Sequence, residues 1–465
     1  MKICALNNIN FQRRLKPSEE AEYRSVLNEA QIKGKKILIV PATSLPSKTG
    51  VGNLSSKESL EFFDFAQKYW GINEIQILPM GQYHIHNNEV PMYSGTSMDL
   101  GNHVINLEYY TTEKPISKIT DRVDFRNVIT NNSPQEKILQ KLYQGKKFQK
   151  EFEEFKLSNQ ARLEPKALYR ALVDLNGSYD YKNWNEIDKK LFELPIKERE
   201  KRISEIKNLK NETIDFYYFK QFLAEDSLKR GKEELNKRGL KLNGDMICGF
   251  SYDEVWANPK AFHPDTTIGW GLPALNFDTS EGKKLLREKV KFYAERFDGI
   301  RVDASSTYIS QPNIKNGVEQ RREYGDKILN IIDEEVKKVK GADFDIKNIM
   351  HEHLHNNSNR IGIHTSDHLS DNWGSNRSFL QKGWNSDCFI IGAKNHDSLK
   401  TVMTEDQRSA LSKIYGEIKS EKEFMKSKLA EPMSAKHNML YFMDALNIAG
   451  QFKDNPDRTL LFPDF

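Results

Sequence analysis

Seven short apolar runs, separated by stretches of helical pattern, constrain the fold more than any other feature of this sequence. They are KKILIVP (Lys35–Pro41), EIQILPM (Glu74–Met80), KLNGDMIC (Lys241–Cys248), DGIRVDA (Asp298–Ala304), KNIMHEHL (Lys347–Leu354), CFIIGAK (Cys388–Lys394) and NMLYFMD (Asn438–Asp444). Runs of this length and composition suit strands covered on both faces, as in a parallel sheet. SKESLEFFDFAQKYW, by contrast, has Leu60, Phe63, Ala66 and Tyr69 at helical spacing. SEGKKLLREKVKFYAERF repeats that pattern, with Ser280 as its expected cap. Strands alternating with helices predict a parallel α/β fold, either barrel or open sheet. The last run, continued as NMLYFMDALNI, is equally compatible with a core helix, because periodicity alone does not separate the two.

The stretch Ser133–Arg238 breaks the alternation. It is charged, helical in pattern and poor in strand candidates. It reads as a helical insertion between two early strands, spanning 109–240 with its flanks. No internal repeat or low-complexity linker separates it from the rest. The expectation is one elaborated domain over residues 1–465.

Composition narrows the function classes. The chain has 465 residues, 70 basic and 66 acidic, for a net charge of +4. That near-balance argues against a nucleic-acid partner, which calls for a basic face or tail. No stretch approaches the roughly 20 apolar residues of a membrane span, and the N-terminal MKICALNNINFQRRL lacks the apolar run of a signal peptide. Cys4, Cys248 and Cys388 are odd in number, far apart and form no CxxC. Free thiols in a reducing compartment are the simplest reading, so a cytoplasmic location is expected.

Four candidate strands end in an acid: Asp245 in NGDMIC, Asp303 in IRVDAS, Glu352 in IMHEHL and Asp397 in GAKNHDS. In a (β/α)8 barrel, chemistry sits at the C-terminal ends of the strands. Arg301 and Asp303 share a face because strand side chains alternate. Several carboxylates beside an arginine suit glycosyl transfer. One carboxylate attacks the anomeric carbon and must be ionised, and a neighbouring guanidinium lowers its pKa and aims it. A second carboxyl protonates the leaving oxygen. The same residues also suit a structural Arg–Asp pair lining a barrel.

Longer motifs resemble the 4-α-glucanotransferase (amylomaltase, or disproportionating enzyme) family. VPATSLPSKTGVGNLS resembles its opening strand and loop, and ILPMGQYHIHNNEVPMYSGTSMDLGNHVINLE its second strand and aromatic-bearing loop. RLEPKALYRALVDLNGSYDYKNWNEIDKKL resembles its helical insertion, and LKLNGDMICGFSYDEVWANPKAFHPDTTIGWGLPALNFD its aspartate-bearing strand and acceptor-side loop. The resemblance implies a (β/α)8 TIM barrel with a helical insertion, acting on maltooligosaccharides or similar α-glucans. It implies no metal and no organic cofactor. It implies Asp303 as nucleophile, Glu352 as general acid/base, and Asp397 with His396 as the grip on sugar hydroxyls. Arg301 would orient Asp303, and Asp245 would support the subsites. Tyr93 would stack on sugar near the cleavage point. Trp270 would lie on a loop, HPDTTIGWGLP, that covers the acceptor. The sequence departs from the family pattern at Ala304-Ser305-Ser306, at His353-Leu354-His355 and at Lys394-Asn395.

Three rival readings remain at this level. HIH (His84, His86) and HEHLH (His351, His353, His355) have spacing that can ligate a metal in a TIM-barrel hydrolase. A non-catalytic glycan-binding protein can occupy a degenerate enzyme fold. An α-1,4-glucan hydrolase would use the same acids with water as acceptor. The sequence does not give the oligomeric state.

Overall fold

The computed structural model describes residues 34–45, 52–84, 93, 95–115, 126–130, 132–309, 321–352, 360–364, 389–392 and 438–442. Eight parallel strands close into a barrel. They are β1 (Lys36–Val40), β2 (Glu74–Ile77), β3 (Lys241–Met246), β6 (Gly299–Val302), β7 (Ile349–Glu352), β8 (Ile361–His364), β9 (Phe389–Gly392) and β10 (Asn438–Phe442). Their order around the barrel follows the chain, and β10 closes on β1. Every side chain of β1, β2, β6 and β7 is buried, as strands covered on both faces require. All seven expected runs contain a strand. NMLYFMD is one of them, which removes the helical alternative.

Two features differ from expectation. β8, the sequence IGIH, is an eighth strand that the apolar-run reading passed over. The expected loop HPDTTIGWGLP is instead a two-stranded antiparallel hairpin, β4 (Phe262–Ile268) and β5 (Leu272–Leu275), inserted after β3.

Helices fill the long crossovers. Helix α1 (Lys57–Trp70) starts where the Ser56 hydroxyl accepts from Ser59 N–H at 3.0 Å. It stops at Gly71, whose φ of 66° suits a residue without a Cβ. Between β2 and β3 run α2 (Pro134–Gln144), α3 (Gln149–Asn176) and α4 (Ile196–Lys237), with a backbone break in α4 at Lys210. Helix α5 (Ser280–Arg296) is capped by Thr279, not Ser280: the Thr279 hydroxyl accepts from Gly282 N–H at 3.0 Å. Helix α6 (Arg321–Lys340) follows β6.

The inside of the barrel is polar in layers. Glu74 joins Lys35 at 2.7 Å and Asn243 at 2.8 Å. Asn243 in turn lies over Gly299, where an added Cβ would come within 2.3 Å of its Oδ1. Glycine lets β3 and β6 carry this layer beneath the next one, in which Asp245 stands opposite Arg301.

Candidate active site

Asp245 is one residue from the end of β3, Arg301 one from the end of β6, and Glu352 is the last residue of β7. Asp303 follows β6 directly, with its N–H bonded to Met246 O at 3.0 Å. Period-2 alternation puts Arg301 and Asp303 on one strand face, and parallel register puts Asp245 and Met350 opposite Arg301. The three carboxylates therefore converge on a single guanidinium. Arg301 Nη1 lies 2.6 Å from Asp245 Oδ1 and 3.0 Å from Asp303 Oδ1, while Nη2 lies 2.6 Å from Glu352 Oε1. The arginine is 2% exposed, so these contacts form away from water.

Two further groups fix the acids. The Tyr93 hydroxyl donates to Asp245 Oδ2 at 2.7 Å and accepts from Arg301 Nη1 at 3.3 Å. Glu352 Oε2 accepts from the Ala304 N–H at 3.0 Å. Ala304 has φ of 40°, a left-handed conformation that costs an alanine energy and turns its N–H toward Glu352. The departure Ala304-Ser305-Ser306 is thus part of the site: Ser305 N–H also bonds Glu352 O at 3.1 Å. The sequence carried no signal for this backbone donor, because it depends on one residue's φ.

The electrostatics correct one expectation. Arg301 alone would lower the pKa of Asp303. In the structure burial pushes Asp303 up to about 7, helped by Asp245 and Glu352, and Arg301 only opposes the rise. Burial likewise pushes Asp245 up to about 6 against Arg301 and Tyr93. Arg301 itself loses by burial but is held firmly charged by Asp245 and Glu352. Three carboxylates around one cation leave a net negative charge in a dry site, and a bound proton relieves it. Asp303 and Glu352 are within hydrogen-bonding reach of each other, so that proton can lie between them. The cluster thus holds what acid–base glycosyl chemistry requires: one ionised and one protonated carboxyl side by side.

A model of the family described as 4-alpha-glucanotransferase matches residues 40–303. The chain belongs to this family. The match includes Tyr93, Asp245, Trp270, Arg301 and Asp303 and ends at the last of these. A 4-alpha-glucanotransferase of Thermus thermophilus is 27% identical over 303 residues, covering 57% of this chain and 57% of the relative. The chloroplastic/amyloplastic 4-alpha-glucanotransferase of Solanum tuberosum is 26% identical, covering 57% of this chain and 51% of its own. The chain therefore spans about half the length of these curated relatives. Among solved structures, an amylomaltase from Streptococcus agalactiae in complex with acarbose superposes with a TM-score of 0.66 at 17% identity, covering 89% of this chain and 90% of that one. An amylomaltase from Corynebacterium glutamicum gives 0.53 at 12% identity, covering 91% and 68%. At these identities the likeness shows a shared fold.

The remaining expected residues divide. Trp270 stands at the turn of the β4–β5 hairpin, 77% exposed and with φ of 59°. His396 and Asp397 lie outside the described residues, as do His86, His353 and His355 of the metal reading. His84 packs against the Tyr179 ring at 4.0 Å, and His351 Nδ1 lies 3.2 Å from Ser305 Oγ. Among the described residues no group of three His, Cys, Asp or Glu is arranged to hold a metal. No described helix is long and apolar enough to cross a membrane.

Proposed function

We propose that this member of the 4-alpha-glucanotransferase family is a retaining enzyme that moves α-1,4-glucan segments between maltooligosaccharides. The observation that carries the reading is the convergence of Asp245, Asp303 and Glu352 on the buried Arg301 guanidinium. Asp303 attacks the anomeric carbon, and Glu352 gives its proton to the glycosidic oxygen that leaves. An ester between Asp303 and the sugar results. The 4-hydroxyl of a second glucan then attacks that ester while Glu352 takes its proton, which restores both carboxyls. Glu352 is held in place for both proton transfers by Arg301 and the Ala304 N–H. The entering sugar replaces the direct Asp303–Glu352 contact, since retaining pairs work at about 5–5.5 Å.

Asp245, locked by Tyr93 and Arg301, orients the arginine and supports the subsites from below. Asp397 and His396 are proposed as the grip on the sugar ring. Trp270 offers an apolar face to the C–H surface of an acceptor sugar. We assign the protein to the cytoplasm and its substrates to soluble α-glucans. The kind of ligand named with the Streptococcus agalactiae structure, acarbose, supports that substrate class.

Incubation with maltotriose tests the reading. Glucose together with a ladder of longer oligomers is the expected product set, and Asp303→Asn should lower its rate by roughly 1,000-fold or more. Glucose and maltose without longer chains would make the protein a hydrolase. Undiminished transfer by Asp303→Asn would remove Asp303 from the role of nucleophile.

A further inference from the structure

The turn that leaves β6 is tied to the end of β7 from both sides. Strand alternation sends Glu352 into the barrel beside Arg301 and its neighbour His351 to the opposite face. On the inner side the Ala304 N–H donates to Glu352 Oε2 at 3.0 Å, and the next amide, Ser305 N–H, donates to Glu352 O at 3.1 Å. On the outer side His351 Nδ1 lies 3.2 Å from Ser305 Oγ, and the Ser305 hydroxyl donates to Val302 O at 3.1 Å. His351 and Ser305 are both fully buried. Burial, and then the Arg360 charge, bring His351 down to about 3, so its ring is neutral and carries one N–H. With the Ser305 proton committed to Val302 O, the ring proton belongs on Nδ1 and is donated to Ser305 Oγ. Nε2, which has no hydrogen-bond partner among the described residues, then carries no proton that would need an acceptor.

Ala304 is the reason such a grip is needed. An alanine keeps a φ of 40° only where its surroundings fix it. Thr307 fixes the carbonyl, to which its N–H and its Oγ1 both donate at 2.8 Å. The following residue is fixed by the imidazole. We propose that His351 and Ser305 are positioning residues for the acid/base: by fastening the turn to β7 they hold the Ala304 N–H on Glu352 Oε2. The inference rests on the reading of Glu352 as acid/base. Arg301 Nη2 meets Oε1 at 2.6 Å and the Ala304 N–H meets Oε2, so the two donors together set the plane of the carboxyl. With the second donor displaced, the carboxyl is free to turn about its ion pair with Arg301, away from the oxygen it must protonate. Ser305 lies in the stretch Ala304-Ser305-Ser306, where the sequence departs from the family pattern, so this fastening belongs to the chain's own version of the site.

Two donors on the full chain test this, because they differ in what they ask of Glu352. Maltotriose loses a sugar oxygen, which needs a proton as it departs. α-Maltosyl fluoride loses fluoride with its electron pair while Asp303 forms the ester, and that departure needs no proton. His351→Leu and Ser305→Ala should each lower kcat for maltotriose transfer by about 10–100-fold. Fluoride release in a single turnover, with enzyme in excess, should stay within about twofold of wild type. The double variant should cost no more than either single one, since both break the same hydrogen bond. His351→Asn places an amide N–H where Nδ1–H was and should restore maltotriose transfer, which a purely packing role would not do. Equal losses on the two donors, wild-type rates on maltotriose, or no recovery in His351→Asn overturns the proposal. If His351→Leu does not fold, Ser305→Ala, smaller by one oxygen, decides. Glu352→Gln separates the proposal from the reading beneath it, and should show the same preference for fluoride more strongly. Undiminished maltotriose transfer by Glu352→Gln removes the acid/base reading and the proposal with it. A preference for fluoride in Glu352→Gln but in neither His351→Leu nor Ser305→Ala leaves the reading standing and overturns the proposal alone.

Discussion

At the scale of single residues, Arg301 has the largest responsibility. It is the counter-charge common to Asp245, Asp303 and Glu352. Arg301→Met would leave three buried carboxylates facing one another, and should cost about 3–5 kcal/mol at pH 8. Chemical denaturation at pH 5 should recover part of that loss, because protonation then removes the repulsion. Asp303 behaves in the opposite way. Its carboxyl is raised to about 7 in the folded protein, so its proton is held more tightly there than in the unfolded chain. The stability tied to that proton is complete below the ordinary carboxylate range and lost as pH rises through 7. Asp303→Asn removes the charge while Arg301 keeps two partners. The variant should melt higher than the wild type, with a gap wider at pH 8 than at pH 5. The gain should be on the order of 1 kcal/mol per pKa unit relieved. Calorimetry at the two pH values would check it, and an equal or reversed gap would show that burial does not strain Asp303.

At the scale of elements, close approach of strand and helix sets the limits. A Cβ on Gly244 of β3 would meet Phe297 Cδ2 at 2.3 Å, where the ring packs at the end of α5. Gly244→Ala should therefore destabilise by about 1–3 kcal/mol. Phe297→Leu in the same chain should return part of it, as equilibrium unfolding would reveal. The strands were the legible part of the sequence because dense apolar runs ended in acids. The position of Asp303, Arg301 and Glu352 at strand ends was visible for the same reason. What was not visible depends on pairing between distant segments. The register that sets Asp245 against Arg301, and the reach of Tyr93 to both, join positions that no local period connects. IGIH was missed because four residues give too few alternations to stand out, and the hairpin because HPDTTIGWGLP has the Gly and Pro content of a loop. Lys289, fully buried on α5, did leave a signal, a lysine at a core position of a helical stripe, but nothing in the local pattern separates it from the other lysines of the same helix.

At the scale of the whole molecule, nearly all the buried apolar side chains among the described residues form one continuous cluster. It runs from the β1 and β2 side chains through Phe152, Leu163 and Leu168 of α3 to Leu223 and Leu228 of α4. We propose on that ground that residues 109–240 unfold with the barrel as one domain. Calorimetry should give a single transition whose calorimetric and van't Hoff enthalpies agree. Two transitions would separate the insertion from the barrel. The charge cluster also bears on how such a protein changes over generations. Asp303 and its neighbours are held in a state that the fold would relax if one acid became an amide. A lineage released from the need for turnover would meet that substitution as a gain in stability. Drift would then produce a folded barrel with the sugar-facing surface kept and the reaction gone. On the function proposed above, acids kept ionisable at these strand ends would mark selection for turnover, against the direction in which stability alone would carry the sequence.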